Sequence, residues 1–275
     1  MLPILKGKIM KREYGITYIA TISGGKDSVT MCDLLLKNNY PVDYIVFNDT
    51  LDKFEEMYEY LEKVEQYFKS RYGKEITRLK PTKTYDEYIF HIRTKGERKG
   101  LIAGLSSADS PFCEWRRDAK IVPFDKWAKQ FKNIKIYMGI TTDEKHRCDR
   151  SEPKFIYPLI DYFKMSEADC KQYLIKQEME NPLYRHFNRT GCKKCFYQTD
   201  RDFYQIWKHY PKVWEEIKEY EKRVKEHPQS HKENQHWFTS YRTCEDMEKK
   251  FKQADKQGSL FDFSDEPLKD CFCKI

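Results

Sequence analysis

Residues 16 to 28 constrain this chain more than any other stretch. Ile16 to Ile22 is an apolar, β-branched run and reads as a buried strand. It ends at Ser23-Gly24-Gly25, and Asp27 through Leu36 then reads as a helix, with Val29, Met31, Cys32, Leu34, Leu35 and Leu36 apolar. A strand that turns through two glycines into a helix leaves the first main-chain N–H groups of that helix unpaired, at the positive end of its dipole. The glycines also let the backbone approach a ligand closely. Lys26 adds a positive charge, Ser23 and Ser28 add hydroxyls, and Asp27 can hold Mg2+ or a water on it. An ordinary tight turn needs only the glycines; all six residues together predict a phosphate site. It is not a Walker A loop, because no glycine stands five residues before Gly25 and Asp27 follows the lysine where Ser or Thr is required.

The rest of the chain extends this pattern. Val42 to Phe47 reads as a second strand, opening into Asn48-Asp49-Thr50. Phe54 to Tyr72 reads as an amphipathic helix with Met57, Leu61, Val64 and Phe68 three or four apart, ended by Gly73. Ile76 to Leu79 is a third strand and Tyr85 to Arg93 a helix. Trp115 to Phe131 reads as mostly helical, with Pro123 expected to break or kink it. Ile134 to Met138 is a fourth strand ending at Gly139, and Phe155 to Ile160 a fifth, cut short by Pro158. Ser166 is placed to N-cap a helix reaching about Gln177. Strands alternating with helices predict an α/β fold: a parallel twisted sheet of about five strands, helices on both faces, and ligands at the carboxyl ends of the strands. The polar clusters after strands one, two and four all fall on that edge.

After about Asp200 the pattern changes. Phe203 to His209 and Val213 to Glu226 predict two aromatic-rich helices split at Pro211, and the chain beyond His227 reads as a loosely structured polar tail. The expected division is a nucleotide-binding domain over residues 1–200 and a helical, Cys-containing extension over 201–275. Tyr204, Trp207, Tyr210 and Trp214 could stack on a nucleic-acid strand, but their spacing is more simply the buried stripe of a helix.

The net charge of +7 suits an anionic partner, although charge alone is read more simply as a soluble surface with a lysine excess. No apolar run is long enough to span a bilayer, and the N-terminus is charged too soon for a signal peptide, so the expected location is the cytoplasm, away from any membrane. Thiols there are usually reduced, which makes the nine cysteines candidates for metal or redox chemistry rather than disulfides. Cys192-x-x-Cys195 has metal-ligand spacing, and its Gly and Lys neighbours fit an exposed turning loop. Cys32 and Cys170 lie within helical patterns and read as core residues.

The loop Ser23 to Ser28, in this place, resembles that of the PP-loop ATP pyrophosphatase superfamily. Three further stretches resemble its phosphoadenosine phosphosulfate (PAPS) reductase-like family. They are Phe47-Asn48-Asp49-Thr50; Gly139-Ile140-Thr141-Thr142-Asp143-Glu144-Lys145-His146-Arg147; and the run from Tyr157-Pro158-Leu159-Ile160-Asp161 through Asn181-Pro182-Leu183-Tyr184 to Gly191-Cys192-Lys193-Lys194-Cys195. The resemblance implies an adenine nucleotide alpha hydrolase-like fold and places Ser23, Gly24, Gly25, Lys26, Asp27 and Ser28 around the phosphates. It puts Asp49 beside the nucleotide and closes Asp143, Glu144 and Arg147 over it. Lys26, Asp27 and Arg147 are the expected catalytic residues, and ATP with Mg2+ the expected ligands.

The resemblance also bears on the thiols. Cys113 stands where related reductases carry a cysteine pair, so Cys113, Cys192 and Cys195 could hold an iron–sulfur cluster with one open iron, or Zn2+. Cys148, His186 or the terminal Cys271-Phe272-Cys273 could supply a fourth ligand. Arg116, Arg117 and Lys120, one turn past Cys113, could face an anion or simply solvent. Three functions fit. The first is adenylation of a substrate with release of pyrophosphate, for sulfur transfer to a nucleic-acid acceptor from a donor such as a cysteine desulfurase. The second is reduction of PAPS, although the loop keeps its Lys-Asp pair and the Glu-Cys-Gly-x-x-His ending of such reductases is absent. The third is a non-catalytic, nucleotide-dependent binding module.

Overall fold

The computed structural model describes residues 11–105, 113–148, 151–231 and 242–257. In chain order the elements are β1 (Thr17–Thr21), α1 (Lys26–Lys37), β2 (Tyr44–Asn48), α2 (Glu55–Tyr72), β3 (Ile76–Leu79), α3 (Tyr85–Ile89) and α4 (Glu114–Arg116). A π-helical segment (Arg117–Ile121) leads into α5 (Val122–Ala128), followed by β4 (Ile134–Tyr137), a 3-10 turn (Thr142–Arg147) and β5 (Phe155–Ile156). Then come α6 (Pro158–Asp161), α7 (Glu167–Lys176), α8 (Asp200–His209), α9 (Pro211–Glu226) and α10 (Cys244–Gln257).

The described residues form two compact units. The first takes residues 11–81, 119–148 and 151–185, the second 82–105, 113–118, 186–231 and 242–257. The first unit holds a five-stranded sheet of order β3-β2-β1-β4-β5, every pair parallel. In register, Ile19 lies opposite Tyr44 and Ile136, and Ala20 opposite Ile45 and Tyr137. Successive strand residues point to opposite faces. Ile19, Val46 and Ile136 share one core with Phe124 and Ala128 of α5. Ala20, Ile45 and Tyr137, which point the other way, are equally shut off from solvent. Burial on both faces is what allows these strands to be apolar almost throughout.

The helix termini follow their local chemistry. Ser166 and Asp169 form a reciprocal capping box at the start of α7. Gly73 ends α2 in the left-handed conformation. Three expectations shift. Pro158 does more than cut β5 short: it sits in the first turn of α6, where its missing N–H costs nothing. Pro123 likewise sits in the first turn of α5, and the backbone before it adjusts by a π-helical turn rather than a break. The helix from Tyr85 stops at Ile89 rather than Arg93.

In the second unit α8, α9 and α10 pack together. The rings of Tyr204, Trp207 and Trp214 gather around Phe251 of α10 at centroid distances of 5.9, 6.1 and 5.5 Å. Tyr204 and Trp214 of the stripe are therefore core, while Trp207 is half-buried and Tyr210 packs on Phe187 instead. The chain after His227 is not loose throughout: α10 buries Cys244, Met247, Phe251 and Ala254, one helical face that the polar composition around it hides. Among the described residues no helix is long and apolar enough to cross a membrane.

Candidate functional site

The sheet order reverses between β1 and β4. β1 leads through α1 to β2 on one side, β4 leads to β5 on the other, and the loops leaving the two strands diverge. Such a switch point is where parallel α/β sheets hold their ligands. The loop after β1 is the Ser23 to Ser28 segment, and two glycines show how tightly it is packed. Gly24 has φ +80°, and a Cβ there would lie 2.3 Å from Met57 Sδ. Gly139, at the end of β4, lies against the start of α1: a Cβ there would stand 2.8 Å from Ser28 Cα and 2.9 Å from Ser28 N. The start of α1 and the end of β4 come this close because Gly139 has no side chain, while Gly24 leaves its space to Met57 of α2.

The serines shape the loop from within. The Ser23 N–H donates to Ser28 Oγ at 3.0 Å, Ser28 Oγ donates to the Gly25 carbonyl at 3.0 Å, and the two hydroxyl oxygens are 3.0 Å apart. Gly25 is the N-cap of α1 and offers no capping side chain. The Lys26 N–H instead donates to the phenolic oxygen of Tyr184 at 2.9 Å. Asn181 holds the other side of the turn. Its amide Nδ2 donates to the Gly24 carbonyl at 2.9 Å, and its Oδ1 accepts from Leu183 N at 2.9 Å.

The charges are arranged around Lys26. Its ammonium is 2.7 Å from Glu167 Oε2, 3.7 Å from Asp27 Oδ2, and 5.5 Å from the centroid of the Tyr184 ring. Burial works against the lysine charge, but Tyr184, Asp27 and Glu167 outweigh it and hold the pKa above the usual lysine value. Asp27 shows the opposite balance. Burial, aided by Glu167 and Glu144 against the pull of Lys26, pushes its carboxyl up to about 7. Asp27 Oδ1 is buried with no hydrogen-bond partner, and so are Asn48 Oδ1 at the end of β2 and Thr141 Oγ1 after β4. Buried polar atoms are rarely left unmatched, and these three lie on the edge where a ligand belongs.

The remaining predicted residues are placed as follows. Asp49 is buried after β2, its Oδ1 accepting from Leu51 N at 2.8 Å and Tyr58 Oη at 2.9 Å. Asp143 accepts the Glu167 N–H at 2.7 Å, which ties the turn after β4 to the start of α7. Glu144 pairs with Arg147. Arg117 pairs with Asp118, and Lys120 is buried. Sequence reasoning did not name Glu167, and it quoted Asn181 and Tyr184 without giving them a role. The signal was faint: an acidic first turn on α7 and an Asn-Pro turn that only the fold brings to the loop.

The cysteines behave differently. Cys113 is the N-cap residue of α4, and Cys192 and Cys195 sit in a turn closed by Cys195 N to Cys192 O at 3.2 Å. Gln198 Nε2 also donates to Cys192 O at 2.9 Å. Among the described residues no group of three or more His, Cys, Asp or Glu side chains is arranged to hold a metal ion, so Cys113, Cys192 and Cys195 do not make up a ligand set here. Cys148 lies against the β-sheet core, and the His186 ring packs at a tilt against His209, centroids 4.3 Å apart. Cys271 and Cys273 lie outside the described residues. The lysines between the paired cysteines are not exposed as the sequence suggested. Lys194 is buried, with Tyr85 and Tyr220 rings at 5.8 and 5.5 Å and Glu216 at 3.1 Å. Cys32 and Cys170 are core residues, as their helical pattern predicted.

A search of the curated proteins found no match. Among solved structures the chain is similar to the phosphoadenylyl-sulfate (PAPS) reductase from Candida auris, determined as a phosphate complex, with 18% identity and a TM-score of 0.43 over 65% of this chain and 81% of that one. Residues 17–198, more than half of the chain, match the phosphoadenosine phosphosulfate reductase domain. The chain therefore belongs to that family, one of nucleotide-binding enzymes of sulfur metabolism.

Proposed function

We propose that the protein binds Mg-ATP at the Ser23 to Ser28 loop and adenylates an acceptor, releasing pyrophosphate. The observation that carries this reading is the intact loop at the N-terminus of α1, with a half-buried cation at Lys26 and an unmatched carboxylate oxygen on Asp27 beside it. In this reading an acceptor oxygen attacks the α-phosphorus, the bridging P–O bond to the β-phosphate breaks, and the electron pair leaves with pyrophosphate. Lys26 and the first amides of α1 stabilise the charge that develops on the leaving group. Asp27, ionised once a divalent cation is beside it, would hold Mg2+, which neutralises phosphate charge when bound. Asn48 and Thr141 line the same edge and would take polar groups of the nucleotide. Arg147, paired with Glu144, is available to a phosphate oxygen by exchange of partners.

The activated AMP ester would be open to a sulfur nucleophile. In this reading the acceptor is a nucleic acid, which a net charge of +7 would attract, and sulfur from a donor such as a cysteine desulfurase displaces AMP from it. Among the described residues no group of three or more possible metal ligands comes together, and the chemistry proposed here runs without a cluster or zinc. A second reading is reduction of PAPS, the activity the family is named for, which the family match does not set above adenylation. Calorimetric titration with Mg-ATP and, separately, with PAPS separates the two. Tight Mg-ATP binding that Asp27→Ala abolishes, with pyrophosphate released in the presence of acceptor, supports adenylation. Preferential binding of PAPS with no response to Mg-ATP replaces it with reduction.

A further inference from the structure

The anion-seeking groups of the loop are already in use. The first main-chain N–H of α1 is taken by the Tyr184 hydroxyl at 2.9 Å, and the Lys26 ammonium by the Glu167 carboxylate at 2.7 Å. Both partners come from far along the chain, 158 and 141 residues away. Both offer an oxygen where a phosphate oxygen would otherwise sit. Glu167 is the more exposed partner, 43% against 13% for Lys26, so it can swing into solvent while the lysine cannot follow. Its backbone is anchored separately, because the Glu167 N–H is held by Asp143.

We infer that Glu167 and Tyr184 are built-in stand-ins for the phosphate ligand, and that Glu167 sets the affinity of the site by competing with the incoming phosphate for Lys26. The inference rests on the phosphate-site reading above and deepens it: binding is an exchange of one anion for another, not the filling of an open cradle. Exchange keeps Lys26 oriented and the first helix amide satisfied when no ligand is present. It also makes an anion with more than one negative oxygen the preferred occupant, since it must replace a carboxylate and a phenol together.

The test uses the full chain and two probes, inorganic pyrophosphate and Mg-ATP, titrated into wild type, Glu167→Gln and Tyr184→Phe. Removing the competing charge in Glu167→Gln should tighten pyrophosphate binding about fivefold, the scale of a partly exposed ion pair. Tyr184→Phe leaves the Lys26 N–H without its acceptor in the free protein and should tighten binding in the same direction. Unchanged or weaker pyrophosphate binding in Glu167→Gln, with circular dichroism and Tm as in wild type, would overturn the inference. If pyrophosphate binding tightens as expected while Mg-ATP binds to none of the three proteins, the inference stands and the adenylation reading fails. If wild type binds neither probe, both fail.

Discussion

The Lys26 N–H points at the phenolic oxygen of Tyr184, 2.9 Å away, and so the first amide of α1 is capped by a side chain 158 residues further along. Helix α1 lacks any local side-chain cap, since Gly25 stands at the N-cap position. The tertiary fold supplies the cap instead, and the site's behaviour depends on residues that hold it from a distance.

Gly139 tests the contact between the two loops. Adding a methyl group there places a Cβ 2.8 and 2.9 Å from main-chain atoms of Ser28. Backbone cannot yield as a flexible side chain does, so α1 or β4 must shift. Gly139→Ala should lower stability by about 2 kcal/mol and weaken Mg-ATP binding by at least about tenfold. Denaturant melts and calorimetry on the same preparation would show both losses; wild-type binding in a folded variant would mean the loops are not fixed against each other.

Asn181 tests the hold on Gly24. It is 1% exposed, with both ends of its amide engaged. Asn181→Ala leaves the Gly24 carbonyl and the Leu183 N–H without those partners and should cost about 2–3 kcal/mol. Asn181→Asp keeps the acceptor for Leu183 but sets a carboxylate against the Gly24 carbonyl, so it should be no better than alanine. Equal stability of Asn181→Asp and wild type in urea melts would exclude the role of the Nδ2 donor.

Asp27 predicts a pH dependence of stability. Its carboxyl is pushed up to about 7 by burial, from an ordinary value near 3.8. Between those values the folded state holds a proton that the unfolded state has lost, so the folded state loses ground as pH rises from about 4 to about 7 and the penalty is complete above that. Asp27→Asn removes the penalty. It should raise Tm by about 3 °C or more at pH 8, with the gain fading toward pH 4. It should also lose Mg-ATP binding, a site that gives up stability for function. A Tm difference that is constant across pH would show that Asp27 does not titrate in this range.

The Cys192 to Cys195 turn is braced by Lys194 against Glu216 and two tyrosine rings, and by Gln198 on the Cys192 carbonyl. Lys194→Ala should therefore lower Tm more than Cys195→Ser. Anaerobic purification with iron, sulfide and zinc analysis gives the complementary reading. Stoichiometric metal, lost together with several degrees of Tm in Cys195→Ser, would show that a metal rather than the lysine organises the turn.

Phe251 carries the packing of the second unit, with three aromatic rings around it and no exposed surface. Phe251→Ala should cost about 3–5 kcal/mol. Thermal melts that barely move would mean that α10 contributes little to that core.

Most strands and helices of the first unit were legible because each is written in local pattern: β-branched runs for β1, β2 and β4, and a stripe of Met57, Leu61, Val64 and Phe68 for α2, whereas the short α6 read as the end of a strand. Helix α10 was missed because its apolar face is four residues among charges, which read as a solvated tail until Tyr204, Trp207 and Trp214 are seen to need a partner. The lysines of the Cys192 turn read as exposed for the same reason: charge is local information, whereas burial against Glu216 and aromatic rings is not.

The sequence by itself determined the loop. Two glycines between a strand and a helix, followed by Lys and Asp, dictate a backbone shape through sterics that act within a few residues. The tertiary structure alone decided what the loop touches. Tyr184 on the first amide, Glu167 on the lysine, Asn181 behind Gly24 and Gly139 against Ser28 are long-range contacts. Packing selects such partners from many chemically equivalent residues, and nothing in the local pattern of a tyrosine or a glutamate marks it as the one chosen.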